Sequence, residues 1–378
     1  MSNFDRVERY LKDYFIDELG IPCCGLVVRR AHETVFRAFY GYSDGARRIP
    51  SSGDTLYFLY SCSKPITVAA AMRLVEEGAL GLDFPVHQYL PEFRGVYLLR
   101  DGQRIRPRTV MTVRHLFTMS AGFNYELDRE PLRALLRKNG GHATTREIVA
   151  ALVESPLCFE PGERYQYSLC HDVLAAVVEA ASGERFSDFL RRVIFEPLGM
   201  KNTSMRHAGD PVTLAAQYCY NADERNMREA PPTNQFALSP EYESGGAGIV
   251  SSADDYSLFV DAMANGGVGL SGARILSAET IDIMRTEQLS RVASVQNFSS
   301  AGGPGYGYGL GVRTLISRDC GRRNALGSFG WDGAAGSYML ADPENRLSIA
   351  YTMHVRGWTA LIGDHAALCN RIYEALDL

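Results

Sequence analysis

The stretch Leu59-Tyr60-Ser61-Cys62-Ser63-Lys64-Pro65-Ile66-Thr67 places a serine three residues before a lysine, at the head of the apolar run Val68-Ala69-Ala70-Ala71-Met72-Arg73-Leu74-Val75. Ala, Leu and Met favour a helix over that run. Pro65 fits only its first turn, where a missing N–H is no loss, and Gly78 is a natural stop. Ser61 is therefore predicted at the helix start, with Lys64 one turn on along the same face. A serine hydroxyl is a poor nucleophile until a neighbour takes its proton. A lysine can do so where its surroundings disfavour the charged form. The partial positive charge of a helix N-terminus would favour the oxyanion formed on attack.

Ser-x-x-Lys alone is a weak signal, and a solvated cap serine beside a surface lysine fits the segment as well. The lysine count sharpens it. The chain has four lysines (Lys12, Lys64, Lys138 and Lys201) against thirty-five arginines. Arginine does not give up its proton in a protein, so it cannot stand in for a lysine base. Only Lys64 has a serine three positions before it, and only Lys64 opens an apolar helix.

At 378 residues the chain can build one large two-part module or two domains. A net charge of −5 argues against nucleic acid as the main partner. No basic run suggests a membrane surface, and the longest apolar runs are too short to span a bilayer. The first ten residues are charged and lack an apolar signal core. Phe4, Val7, Tyr10, Leu11, Tyr14 and Phe15 recur at helical spacing, as in a mature amphipathic helix. Eight cysteines are scattered without a C-x-x-C, as buried thiols of a cytoplasmic protein would be.

Two strands are expected at Gly25 to Arg30 and Thr34 to Gly41, around a His32-Glu33 turn. Val110 to Gly122 reads as a capped helix. Thr144 to Glu196 is mostly helical in pattern, Asn202 to Glu243 is loop-rich, and another helix covers Asp254 to Met263. A late strand begins at Tyr308, two more lie at Ser337 to Ala341 and Leu347 to His354, and an amphipathic helix closes the chain from Asp364 to Leu376. Strands lie at both ends and helices between. The expectation is an α+β protein in which residues 1–60 and 295–378 share one antiparallel sheet flanked by helices, and residues 61–294 form a mainly helical lobe, all in a single module.

Beyond Ser61-Cys62-Ser63-Lys64-Pro65 the chain holds Pro161-Gly162-Glu163-Arg164-Tyr165-Gln166-Tyr167-Ser168, Pro197-Leu198-Gly199-Met200 with Thr203, Gly245-Gly246-Ala247-Gly248-Ile249-Val250-Ser251, and Gly330-Trp331-Asp332-Gly333-Ala334-Ala335-Gly336. In this order the set resembles the serine β-lactamase-related superfamily: class C β-lactamases, penicillin-binding carboxypeptidases, and the esterases and acyltransferases on that fold. The resemblance implies the β-lactamase/transpeptidase-like fold, with Ser61 as acyl-enzyme nucleophile and Lys64 as its base or proton shuttle. It implies Tyr167 as partner base or acid to the leaving group, with Tyr165 the competing tyrosine. The backbone N–H groups of Ser61 and Ala334 would form the oxyanion hole, and Gly333 would let substrate approach the strand edge. Phe123 and Tyr125 would line the cleft, or else be ordinary loop aromatics.

Two departures bear on substrate. The asparagine of the family's Tyr-x-Asn motif is Leu169 here, and the third motif, Lys-Thr-Gly or His-x-Gly in β-lactam-handling members, is Trp331-Asp332-Gly333. A cation there would attract a substrate carboxylate. Trp331, Asp332 and Gly333 are expected to contact substrate: Trp331 offers apolar area and one N–H, and Asp332 would repel an anion if it faced the cleft. The expected function is a cofactor-free, metal-free serine hydrolase acting on small-molecule esters or amides, a carboxylesterase or acyltransferase. A β-lactamase or D-amino-acid peptidase is the rival within the same chemistry, and an inactive binding module the rival outside it. His171-Asp172 are adjacent on a helix and form a poor metal pair. His354, in a strand, reads as structural. The glycines from Gly302 to Gly311 do not match a phosphate-binding loop.

Overall fold

The computed structural model describes residues 3–206, 214–291, 298, 302–358 and 360–378. Both ends of the chain enter one sheet. Its strands are β1 (Cys23–Arg30), β2 (Glu33–Gly41), β9 (Tyr306–Tyr308), β10 (Arg313–Leu315), β11 (Phe329–Asp332), β12 (Tyr338–Asp342) and β13 (Leu347–Met353), in the order β2-β1-β13-β12-β11-β10-β9. Every neighbouring pair is antiparallel. Smaller pairings join β3 (Leu56–Phe58) to β8 (Val250–Ser252), β4 (Leu98–Arg100) to β5 (Gln103–Ile105), and β6 (Gln217–Asn221) to β7 (Asn226–Ala230) and β14 (Val355–Arg356).

The strand period of two divides the buried residues between the sheet's faces. Leu26, Val28, Tyr338, Leu340, Leu347, Ile349, Tyr351 and Met353 pack with Val7, Leu11 and Phe15 of the N-terminal helix. That helix runs as α1 (Asp5–Arg9) and continues in π-helical form over Tyr10–Glu18. Leu368, Cys369, Ile372 and Tyr373 of α11 (Leu361–Ala375) complete this layer. Phe329, Trp331, Met339, Ala341 and Ala350 face the opposite way, into the larger core shared with the helical part.

That part holds α2 (Ser63–Glu76), α3 (Val113–Phe117), α4 (Glu130–Lys138), α5 (Thr145–Leu152), α6 (Cys170–Ser182), α7 (Phe186–Leu190), α8 (Glu196–Leu198), α9 (Ala253–Ala264) and α10 (Ala278–Arg285). Every residue of α2 from Ser63 to Met72 is buried, Lys64 included. A helix apolar all round is a core helix, and Ala69, Ala70 and Ala71 leave room for a close neighbour in α6.

Several boundaries differ from expectation. The first hairpin turns at Ala31-His32 rather than His32-Glu33, both with positive φ (50° and 74°) as a two-residue turn of this hand requires. The helix expected up to Gly122 ends at Phe117, because Met119 adopts φ 54° and Gly122 φ 96°. Residues 153–169, inside the expected helical stretch, are largely irregular, and the loop-rich stretch carries the β6–β7 hairpin. Residues 207–213 of that stretch, and the expected boundary at 294/295, lie outside the described residues.

Candidate active site

Ser61 lies on a single 3-10 turn, Tyr60–Cys62, that runs into α2, so it precedes the helix proper. Tyr60 has φ 48°, a left-handed conformation that costs a side-chain-bearing residue about 1–2 kcal/mol. Surrounding contacts hold it there. The Tyr60 hydroxyl donates to Gln217 Oε1, and the Tyr256 hydroxyl donates to the Cys62 carbonyl at 2.9 Å. The neighbouring β11 closes from the other side, with Cys62 Sγ 3.5 Å from the Trp331 carbonyl oxygen.

Lys64 is wholly buried. Its Nζ lies 3.2 Å from Ser61 Oγ, 2.9 Å from the Tyr125 hydroxyl and 2.7 Å from the Gly246 carbonyl oxygen. It also stands 4.6 Å from the centre of the Tyr167 ring. The Gly246 oxygen can only accept, whereas each hydroxyl can donate or accept. The same heavy-atom positions therefore serve an ammonium with three donated bonds. They equally serve a neutral amine that donates to Gly246 and Tyr125 and accepts from Ser61. Burial, with Tyr167 and Asp172 nearby, pushes the Tyr125 phenol well above its ordinary value, so it is protonated at neutral pH.

The Gly245-Gly246 segment reaches Lys64 because it lacks side chains. A Cβ on Gly245 would lie 2.3 Å from the His171 carbonyl, and one on Gly246 would lie 2.7 Å from Asp172 Oδ2. Thr67 Oγ1 donates to the Gly245 carbonyl at 2.6 Å, and the Ile249 N–H donates to Ser63 Oγ at 3.0 Å. Successive turns of α2 thus grip one strap of chain.

Tyr167 stacks on Trp331 with ring centres 5.7 Å apart, and its oxygen accepts the indole N–H at 3.2 Å. Tyr165, the competing tyrosine, is buried edge-on to Phe298 and Tyr308. Gly333 N–H donates to the Ser337 carbonyl at 2.7 Å, closing the β11–β12 turn, and a Cβ on Gly333 would lie 2.3 Å from the Leu59 carbonyl. The turn therefore sits tight against the segment that leads into Ser61. Ala334 is exposed at its tip.

Two expected cleft residues are elsewhere. Asp332 follows Trp331 on a strand, so its side chain emerges on the opposite face. There it pairs with Arg313 and lies 2.5 Å from His365 Nδ1. Burial alone would raise its carboxyl, but Arg313 and then His365 outweigh it and pull it down to about 2. Phe123 is in the main core, edge-on to Phe93 at 6.2 Å, and does not line the cleft. Trp331 is 4% exposed and its N–H is committed to Tyr167, which leaves it little to offer a substrate directly. His354 is structural: burial lowers it to about 4, and it bridges the Ala215 carbonyl and the Phe58 N–H. Tyr242, Ser244 and Asp172 were not singled out from sequence as parts of this site, although the Gly-Gly strap beside them was. Among the described residues no group of His, Cys, Asp and Glu side chains could hold a metal ion, and no helix is long and apolar enough to cross a membrane.

The Beta-lactamase family matches this chain over residues 4–368. Esterase EstB of Burkholderia gladioli is 32% identical over 347 residues, spanning 85% of this chain and 83% of that protein. Among solved structures, EstCE1, a hydrolase with promiscuous acyltransferase activity, shares 27% identity with a TM-score of 0.81 over 98% of both chains. Unliganded simvastatin synthase LovD of Aspergillus terreus has the same TM-score, 0.81, over 100% of this chain and 99% of its own, and at 19% identity it shows the shared fold. Fold and relatives together define a serine hydrolase with a β-lactamase/transpeptidase-like architecture. The chain belongs to the Beta-lactamase family.

Proposed function

We propose that the protein is a carboxylesterase or acyltransferase that works through an acyl-enzyme on Ser61. The observation that carries this reading is Lys64: buried, in contact with Ser61 Oγ, and satisfied in either protonation state by the same neighbours.

Ser61 Oγ attacks the ester carbonyl carbon while its proton passes to the neutral Lys64 amine. The carbonyl oxygen becomes an oxyanion, received by the backbone N–H groups of Ser61 and Ala334. The close approach of Gly333 to Leu59 supports that pairing, because it sets the Ala334 turn beside Ser61. As the intermediate collapses, the C–O bond to the alcohol breaks and Lys64 returns its proton to the leaving oxygen, directly or through Tyr167. Water or a second alcohol then attacks the acyl-enzyme by the same steps in reverse. Water gives hydrolysis and an alcohol gives acyl transfer.

The substrate class follows from charge. The stretch Trp331-Asp332-Gly333-Ala334-Ala335-Gly336 brings no cation to the cleft, and the Asp332 carboxylate is turned away and paired. A neutral ester needs no such cation, whereas a β-lactam or a peptide C-terminus carries a carboxylate. A cavity of about 370 Å³ lies beside the site, with Phe58, Met205, Phe236 and Val250 on an apolar side that suits an acyl or alkoxy group and Arg206 and Asn234 on a polar side. Phe236 lies edge-on to both Tyr60 and Tyr125, which links the cavity to the Ser61 turn. A panel of p-nitrophenyl esters, peptides and β-lactams on purified protein tests the reading. Turnover of esters supports it, and turnover confined to β-lactams or peptides contradicts it.

A further inference from the structure

Asp172 is a buried carboxylate, 1% exposed, to which no arginine or lysine is bonded among the described residues. Its Oδ1 accepts from the Tyr242 hydroxyl at 2.6 Å and from Ser244 Oγ at 2.5 Å. Its Oδ2 is buried and has no hydrogen-bond partner. That oxygen is aimed at the Gly246 Cα. A Cβ built there would stand 2.7 Å from Asp172 Oδ2, 3.1 Å from the Tyr125 hydroxyl and 3.4 Å from Lys64 Nζ. The carboxylate and the amine thus face each other across Gly246.

An isolated buried carboxylate is costly unless an opposite charge lies close. The other titratable groups around Lys64 supply none. Burial raises the Cys62 and Cys170 thiols and the Tyr125 and Tyr242 phenols, and His171 is lowered to about 3 by burial and then by Lys64, so all five are neutral at pH 7. Tyr167 presents its ring face to Lys64. Asp332 is spent on Arg313, and Glu243 on Arg185 at 2.7 Å.

We propose that Asp172 is a positioning residue, the buried counter-charge to Lys64, holding that lysine's proton affinity where it can both take and return the Ser61 proton. Tyr242 and Ser244 fix the carboxylate, and the Gly245-Gly246 strap leaves the line between the two charges open. When Ser61 gives up its proton, the charge that appears on Lys64 meets a charge already in place, so no other group has to move. This rests on the reading of Lys64 as proton acceptor.

The test reads Lys64 itself. Four lysines give four ε-carbon signals in protein labelled with ¹³C-lysine, and Lys64→Arg identifies the one from Lys64. A nearby opposite charge shifts a titration by about one to three pH units. In Asp172→Asn the Lys64 midpoint should therefore fall by at least about one unit, and the acid limb of kcat/KM should move to lower pH with it. Coupling is reciprocal. In Lys64→Met the Asp172 carboxyl midpoint should rise correspondingly, which keeps the test available if Asp172→Asn does not fold. Midpoints that stay put in either variant overturn the proposal. Failure of the ester reading would show separately, as absence of ester turnover by the wild type with these titrations intact.

Discussion

The indole N–H of Trp331 donates to the phenolic oxygen of Tyr167 at 3.2 Å, with the two rings stacked. The third motif therefore acts on the second, by fixing where the Tyr167 oxygen points. Trp331→Phe keeps the stack and loses the bond. A net hydrogen bond of about 0.5–1.5 kcal/mol corresponds to roughly a two- to tenfold fall in kcat. Tyr167→Phe should cost more, roughly 10²–10⁴-fold, as loss of a proton-transfer group does. Steady-state kinetics of both variants, with Tyr125→Phe beside them, checks the assignment. A larger loss from Tyr125→Phe than from Tyr167→Phe would exchange the two tyrosines' roles.

Lys64→Arg should be nearly as inactive as Lys64→Ala. Arginine keeps the charge and cannot take a proton near neutral pH. Retention of more than about a tenth of wild-type kcat/KM, a loss below ~1.4 kcal/mol, would rule out Lys64 as the base.

Ester preference should be measurable directly. A charge-assisted bond to a substrate carboxylate contributes about 1.5–3 kcal/mol, and with no cation in the Trp331–Gly336 stretch to make it such substrates should bind roughly one to two orders of magnitude more weakly. p-Nitrophenyl butyrate should be turned over much faster than nitrocefin. Nitrocefin hydrolysis equal to or faster than ester hydrolysis would restore a β-lactamase.

Folding stability should fall on the acid side of neutrality. Burial lowers His171 to about 3 and His115 and His354 to about 4, against an ordinary value of 6.5. Below about pH 6.5 the unfolded chain takes up protons that the folded chain refuses, so stability is complete above that pH and is lost as pH falls toward 4. Asp332, held at about 2 against an ordinary 3.8, contributes stability that is lost only below about pH 4. Urea midpoints should be level from pH 7 to 8 and decline at pH 6 and again at pH 5. A flat profile down to pH 5 would contradict the burial of these histidines.

Most of the fold is legible in the motif set. The strands near Cys23–Gly41 and Tyr338–Met353 and the helices at Ser63–Glu76 and Ala253–Ala264 have strong local periodicity, and they stand close to where that periodicity puts them. What failed was local geometry. Trp331 and Asp332 were both assigned to the cleft, although neighbours on a strand point to opposite faces. The alternation of a strand carries that signal in the sequence itself. The helix expected to continue to Gly122 hid the turn that brings Tyr125 onto Lys64, because nothing about Met119 announces a left-handed conformation. From sequence Asp172 is visible only as half of a poor metal pair with His171. Its place opposite Lys64 depends on Gly246, far along the chain, and only the folded structure brings them together.

The central claim is that Ser61 becomes covalently acylated with help from Lys64. The most direct measurement is intact-protein and peptide mass spectrometry after exposure to a fluorophosphonate probe. The account predicts one adduct on the wild type, mapped to the peptide carrying Ser61, and none on a folded Ser61→Ala variant. An adduct on another residue, or full labelling of Ser61→Ala, would contradict it.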